Sequence, residues 1–317
     1  MRQAKVFADT RNMTREEWLE ARRRGVGGSD ASAIMGLNPY SSPLKVYLDK
    51  TGKGEEKDTN EAMRQGTDLE QYVAERFCED TGKKVKRCNK ILQHPDHPWM
   101  LANVDRLIVG EDAGLECKTT SPYSKFRFDE GEINPHYYWQ SMHYMAVTGY
   151  SRWYVAILVL GKAFHVFEVV RNEDEIAALI EAERDFWENH VEAKAPPLPT
   201  GSEADEEAIS VLYPEGEDGE EVLDIDMDDE LNLRALKVKQ RDELDAEIRN
   251  IDQRCKMALG DFQRGISAGW KINWTNTSSS RVDTKLLKQK YPQIAEEVTK
   301  VTTGRRFSVS AIKEAKE

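Results

Sequence analysis

Two strand-like stretches, residues 100–109 and 115–119, are separated only by the turn-forming segment 110–114, so the chain is expected to double back there as a β-hairpin. Helical patterns flank the hairpin on both sides. Ahead of it, a capping box, Thr14-x-x-Glu17, opens a helix that carries Trp18 and Leu19 and ends near Arg24 and Gly25. Gly27-Gly28-Ser29-Asp30 then leads into a short apolar helix over 31–35. A second box, Thr67-x-x-Glu70, predicts the start of a helix in which Leu69, Tyr72, Val73 and Phe77 fall at helical spacing, and a strand over 84–92 follows. Behind the hairpin come a helix over 136–148, strands over 153–160 and 164–170, and a helix from Glu173 to about His190. This order predicts an α/β core with a central mixed sheet flanked by helices.

Ala195-Pro196-Pro197-Leu198-Pro199 breaks the pattern. Three regions are therefore expected: a core over 1–195, an acidic linker or insertion over 196–230, and a smaller helical and α+β module over 231–317. In the last, Leu244, Ile248, Ile251, Cys255 and Ala258 recur at steps of four and three, the seam of a helix that packs on a partner helix or on its own domain. An alternating Trp270-Lys-Ile272-Asn-Trp274 strand, helices over 283–290 and 293–300 and a strand over 305–310 should follow.

The net charge of -12 is misleading, because fourteen Asp and Glu and no Lys or Arg lie between Glu203 and Glu230, leaving +2 for the rest of the chain. A local basic DNA surface is compatible with that balance, and Arg11, Arg15, Arg22, Arg23 and Arg24 cluster near the start, where a solvated helix face is the plain alternative. No uncharged apolar run approaches the ~20 residues of a membrane span, and the first residues lack a signal-peptide core, so a cytoplasmic protein is expected. The four cysteines form no CxxC pair, which argues for thiols over a disulfide framework or a cysteine-rich zinc site.

The chemistry is concentrated in Asn103-Val104-Asp105-Arg106 and Leu115-Glu116-Cys117-Lys118-Thr119. Side chains alternate along a strand, so Glu116 and Lys118 share a face, and the hairpin brings Asp105 beside them. Two carboxylates held together repel, and a hard divalent cation such as Mg²⁺ or Mn²⁺ relieves the repulsion while activating water and binding phosphate. A surface ion pair is the competing explanation for carboxylate and lysine at this spacing. Glu70 lies on the helix before the hairpin, and Gln140 and Tyr144 sit one helical turn apart after it. The glycine pair at 27–28 running into a helix N-terminus exposes N–H groups to an anion, and a nearby arginine can clamp phosphate oxygens; a helix cap is the plain alternative for Ser29. His94-Pro-Asp-His97 lacks further zinc ligands, Gly52-Lys-Gly54 lacks Walker A spacing, and Tyr137-Tyr138-Trp139 reads as helix packing.

An Asp followed about ten residues later by Glu-x-Lys resembles the PD-(D/E)xK nuclease pattern, with Val104 in place of its proline. Arg22, Gly27-Gly28-Ser29-Asp30, Gly66-Thr67-x-Leu69-Glu70, Asp105, Glu116-x-Lys118 and Gln140-xxx-Tyr144 also occur in the order seen in YqaJ-type viral recombinases, relatives of lambda exonuclease and RecB-like nucleases. The resemblance covers residues 15–190. It implies Asp105, Glu116, the Cys117 main-chain carbonyl and Glu70 around Mg²⁺ (Mn²⁺ as substitute, two ions in all), Lys118 as the catalytic lysine, and Gln140 and Tyr144 in support. It also implies that Arg22 and Ser29 bind a DNA 5′-phosphate, with Arg23 and Arg24 as alternatives to Arg22. The implied activity is a 5′-to-3′ exonuclease on linear duplex DNA in phage recombination, beside a single-strand annealing protein and as a ring-shaped trimer. An endonuclease of the same fold and a non-catalytic DNA-binding scaffold are the alternatives.

Overall fold

The computed structural model describes residues 3–54, 60–123, 128, 131–219, 228–301 and 304–310. The chain divides into two units, Met1–Pro214 and Glu215–Glu317.

The first unit begins with β1 (Lys5–Asp9), α1 (Arg15–Arg23), α2 (Gly28–Ile34), α3 (Pro43–Lys50) and α4 (Glu61–Thr81). Five strands follow: β2 (Val85–Arg87), β3 (Lys90–Gln93), β4 (Leu101–Asn103), β5 (Arg106–Ile108) and β6 (Ala113–Thr120). Next come α5 (Pro135–Thr148), β7 (Arg152–Val159), β8 (Ala163–Val170), α6 (Glu173–Phe186) with a π-helical turn over Trp187–Glu192, and α7 (Glu203–Leu212). The main sheet has the order β2-β5-β6-β7-β8, with β6 and β7 parallel and the other neighbours antiparallel.

Both faces of β7 are covered, which explains its nearly unbroken apolar run. Tyr154 and Ala156 meet Val73, Ala74 and Phe77 of α4, whereas Trp153 faces Met142 and Met145 of α5 and Leu179 of α6. On β6, Leu115 and Cys117 join the α4 side, so Glu116 and Lys118 point toward α5. A second, antiparallel sheet has the order β1-β3-β4. The His143 ring on α5 faces Glu183 Oε1 at 2.7 Å and the Leu101 carbonyl at 2.9 Å, so its Nε2 carries a proton and donates to that carbonyl. Burial opposes charge on the ring, but the Glu183 carboxylate outweighs it and raises the His143 pKa. This buried pair ties α5, α6 and β4 together.

Several expectations change in three dimensions. The hairpin of β5 and β6 forms as read, pairing Arg106 with Leu115, but the stretch 100–109 breaks at Val104 and Asp105, and 84–92 breaks beside it. One half of each stretch pairs in the small sheet and the other in the main sheet, so Asp105 sits at the corner between them. The helix expected to start at Thr67 starts at Glu61, because Asn60 caps it by accepting from the Met63 N–H at 2.9 Å. Thr67 lies inside that helix and donates to the Met63 carbonyl.

The acidic stretch also divides. Its first part is α7, whose Ala208 is buried with Leu44 of α3 and with Phe186, so residues expected in a linker belong to the first unit. The buried Asp205 completes the capping box of this helix, whose N-cap is Ser202: its Oδ2 accepts from the Thr200 N–H and hydroxyl, both at 2.7 Å, and from the Ser202 hydroxyl at 3.0 Å. Burial alone would raise its pKa, but hydrogen bonds from Ser42, Thr200 and Ser202 lower it to about 2. Asp205→Ala should therefore destabilise the protein by about 1–3 kcal/mol in urea unfolding, by leaving buried donors unpaired. The lowered pKa fixes the sign: this stabilisation is present above the ordinary carboxylate range and is lost as pH falls toward about 2.

The second unit holds α8 (Asp228–Leu259), β9 (Arg264–Ile266), β10 (Lys271–Asn273), α9 (Thr284–Lys290) and α10 (Pro292–Glu297). The helix read from its seam is longer than that seam, and Leu244, Ile248 and Ile251 stay more than half exposed. Residues 305–310 form no strand; no neighbouring strand pairs with them among the described residues.

Candidate active site

A cavity of about 210 Å³ opens where β6, α5, the corner at Asp105 and the start of α2 meet. Asp105, Glu116, Lys118, Gln140, Tyr144, Arg22 and Ser29 all line it, although they are separated by up to 122 positions in sequence.

Asp105 Oδ2 accepts from the Cys117 N–H at 2.9 Å, which fixes the corner against β6. Glu116 is 4% exposed, and its Oε1 accepts from Lys118 Nζ at 2.6 Å and Gln140 Nε2 at 2.7 Å. The other oxygen, Oε2, is buried with no hydrogen-bond partner. Desolvation and the neighbouring Glu116 carboxylate push the Asp105 pKa well above the ordinary carboxylate range. Burial works against the Lys118 ammonium, but Glu116 and Asp105 outweigh it and raise its pKa. Two crowded carboxylates thus share the Lys118 ammonium in this cleft.

Gln140 is oriented in turn, since its Nε2 also donates to the Tyr144 hydroxyl at 2.9 Å and that hydroxyl donates to the Asn103 carbonyl at 3.0 Å. The i, i+4 pairing expected on α5 is therefore direct. Gly28 lets α2 approach this network, because a Cβ there would lie 2.6 Å from the Tyr144 ring. Gly28→Ala is expected to displace Tyr144 and lower stability by about 1–3 kcal/mol, measured by thermal unfolding.

At the far side of the cavity, Arg22 Nη2 donates to Ser29 Oγ at 2.9 Å and the guanidinium lies 4.6 Å above the Trp18 ring. Ser29 is not the helix cap; Gly27 holds that position, and its N–H donates to Asp30 Oδ2 at 2.8 Å. Lys50 Nζ reaches the same Asp30 oxygen at 2.7 Å and also donates to the Arg22 carbonyl at 3.3 Å. Burial raises the Asp30 pKa, but Lys50 and Arg22 lower it further than burial lifts it. Lys50 thus pins the turn between Arg22 and Ser29, and no local pattern marked it, since Asp30 and the Arg22 carbonyl lie 20 and 28 residues away.

Glu70 is placed differently from its companions and does not line the cavity. Its Oε1 accepts from Arg106 Nη1 at 2.5 Å, and Arg106 also donates to the Asp105 carbonyl at 2.8 Å and to Gln71 at 3.2 Å. Arg106 is 3% exposed and so anchors the corner from behind. It stood in the sequence beside Asp105, but only its burial shows which carboxylate it takes. Among the described residues, no three His, Cys, Asp or Glu are grouped to hold a metal ion. The residues that fit a cation are Asp105 and Glu116: both are held close, one carries the orphaned buried oxygen and the other resists ionisation.

A family model for the YqaJ-like viral recombinase domain matches residues 17–151. The protein YqaJ of Bacillus subtilis (strain 168) is 38% identical over 315 residues, covering 98% of this chain and 99% of its own length. Among solved structures, an alkaline exonuclease from Laribacter hongkongensis aligns with a TM-score of 0.48 at 21% identity, over 57% of this chain and 94% of its own. A phage related exonuclease from Haemophilus somnus aligns with a TM-score of 0.42 at 11% identity, over 54% and 96%. With a relative so similar along nearly its whole length, the chain belongs to the YqaJ family, whose shared element is the YqaJ-like viral recombinase domain.

Proposed function

We infer that this protein is a metal-dependent deoxyribonuclease that digests linear duplex DNA from its ends, in the 5′-to-3′ direction. The observation that carries this reading is the buried, unpartnered Glu116 Oε2 beside an Asp105 whose ionisation is opposed, on the same sheet face as Lys118. Asp105, Glu116 and the main-chain carbonyl of Cys117 would hold Mg²⁺, or Mn²⁺ in its place, and a two-ion arrangement is part of the proposal. Bound there, such a cation supplies an activated water and neutralises charge on the phosphate.

The chain's own groups do the rest. Lys118 presents an ammonium to a phosphate oxygen and offsets its charge in a water-poor cleft. Gln140, steadied by Tyr144, keeps Glu116 Oε1 occupied and leaves Oε2 turned away for a cation. Glu70 acts at one remove, by holding the Arg106 that carries Asp105. Arg22 and Ser29 grip a terminal 5′-phosphate, which gives the cavity a reason to prefer DNA ends. A single-strand annealing partner, a ring-shaped trimer and work in the cytoplasm of a phage host belong to the same reading, as the resemblance to lambda exonuclease implies. No helix among the described residues is long and apolar enough to cross a membrane.

The test is nucleotide release from a linear duplex with Mg²⁺ and with EDTA. Release in Mg²⁺ alone is expected. Release in EDTA would remove the cation from the reading, cutting of closed circular DNA would make the protein an endonuclease, and binding without cutting in either buffer would leave a DNA-binding scaffold.

A further inference from the structure

The second unit carries a surface that the nuclease cleft does not use. Between Lys256 and Ser310 there are ten Lys and Arg against four Asp and Glu, a net charge of +6 in a chain of net charge -12. The same segment leaves large aromatics in water: Trp270 is 77% exposed, Phe262 76% and Trp274 50%. Tryptophan at that exposure is unusual for a surface with nothing to bind.

The hairpin of β9 and β10 organises these residues. Lys271 pairs with Ile266 and Asn273 with Arg264, and Ser267 and Trp270 exchange backbone hydrogen bonds at the tip. Trp270, Ile272 and Trp274 fall on one side by strand alternation. Ile272 lies opposite Gly265, where an added Cβ would come within 2.7 Å of Leu259, so the middle of that side rests on the end of α8. The two tryptophans are left at its margins. Lys256 sits 6.0 Å from the Trp274 ring, and Arg264 and Lys271 occupy the reverse side.

We propose that this hairpin is a second nucleic-acid site, one that holds unpaired single-stranded DNA with bases stacked on Trp270 and Trp274 and a phosphate against Lys256, which stands beside the Trp274 ring. An aromatic platform with a cation beside it, in a segment of net positive charge, suits a single strand, because only unpaired bases offer their faces and the phosphates require positive charge. A second copy of the chain meeting it hairpin to hairpin is the poorer occupant, since that contact would set +6 against +6. The proposal rests on the reading of the chain as one that acts on DNA, and it adds a grip for the strand that digestion leaves unpaired.

The experiment measures binding of a fluorescent oligothymidylate to the full chain in EDTA, where no cleavage competes, by anisotropy across a salt series. Trp270→Ala should weaken binding about five-fold or more, and Trp270→Phe should retain most of it, because it keeps an aromatic face. Lys256→Ala should lower the slope of log affinity against log salt by about 0.7. The initial rate of cleavage of a blunt duplex in Mg²⁺ should be unchanged in Trp270→Ala, which separates this site from the cleft and shows that the exposed substitution leaves the fold intact. Wild-type oligothymidylate affinity in Trp270→Ala and in the Trp270→Ala/Trp274→Ala double variant would overturn the proposal. So would a loss that tracks a change of oligomeric state in sedimentation, which would make the hairpin a contact between copies. If oligothymidylate binds through Trp270 but no duplex is ever cut, the nuclease reading fails and this one stands; if duplex is cut but oligothymidylate does not bind, the reverse holds.

Discussion

Lys118→Ala is expected to slow cleavage of linear duplex DNA by on the order of 10²–10³-fold or more, while duplex binding in EDTA stays within a few-fold of wild type. The ammonium stands 2.6 Å from Glu116 Oε1 inside the cavity, where a cation is worth far more against developing phosphate charge than at the surface. Binding of a long duplex is spread over many backbone contacts and loses only one of them. Glu116→Gln should match the loss in rate, for a separate reason. It nearly preserves the side-chain shape, but it removes the negative charge and gives Lys118 and Gln140 a competing amide. Initial rates and anisotropy on the same duplex check both. Wild-type turnover in either variant would take the chemistry away from this cleft, and loss of binding in step with rate would mean that the residues position DNA and do not act on it.

The second large effect concerns the end of the DNA. Wild type should digest a 5′-phosphorylated duplex roughly ten-fold to a hundred-fold faster than one with a 5′-hydroxyl, and Arg22→Ala should erase the difference by slowing only the phosphorylated substrate. A hydrogen bond to a charged group contributes about 1.5–3 kcal/mol, which corresponds to that range of rates. Arg22 is well placed for this: its guanidinium is held by the Trp18 ring and Ser29 Oγ, and its main-chain carbonyl by Lys50. Little is therefore lost in ordering it when phosphate arrives. The comparison needs two duplexes that differ only in the 5′ group. Equal wild-type rates on the two would remove the end pocket and favour an endonuclease.

Much of this site is legible in local spacing. The Glu116-x-Lys118 step puts both side chains on one face of β6, and the four-residue step from Gln140 to Tyr144 places both on one side of α5. The capping box at Thr14 and Glu17 forms as written, with both reciprocal hydrogen bonds present. A similar box at Thr67 and Glu70 does not act as a cap, since Asn60 starts the helix earlier and Glu70 is drawn to Arg106. The two boxes look alike in sequence; the difference is an earlier cap at Asn60, which leaves Thr67 inside the helix, and a buried guanidinium that takes the second glutamate.

What the sequence by itself determined is therefore what repeats over a few residues: helix and strand periods, a hairpin turn, and which neighbours along one element face the same way. Those properties follow from backbone geometry, which every residue carries with it. The tertiary structure alone decided which distant groups share one small volume. It put Arg22 and Ser29 on the wall of one cavity with Asp105 and Glu116, gave Arg106 to Glu70 and Lys50 to Asp30, and folded Asp205 into a capping box in the part of the acidic stretch that belongs to the first unit. The physical reason is that a buried charge must find a partner within a few ångströms, and which partner it finds depends on how the elements pack and not on its distance along the chain.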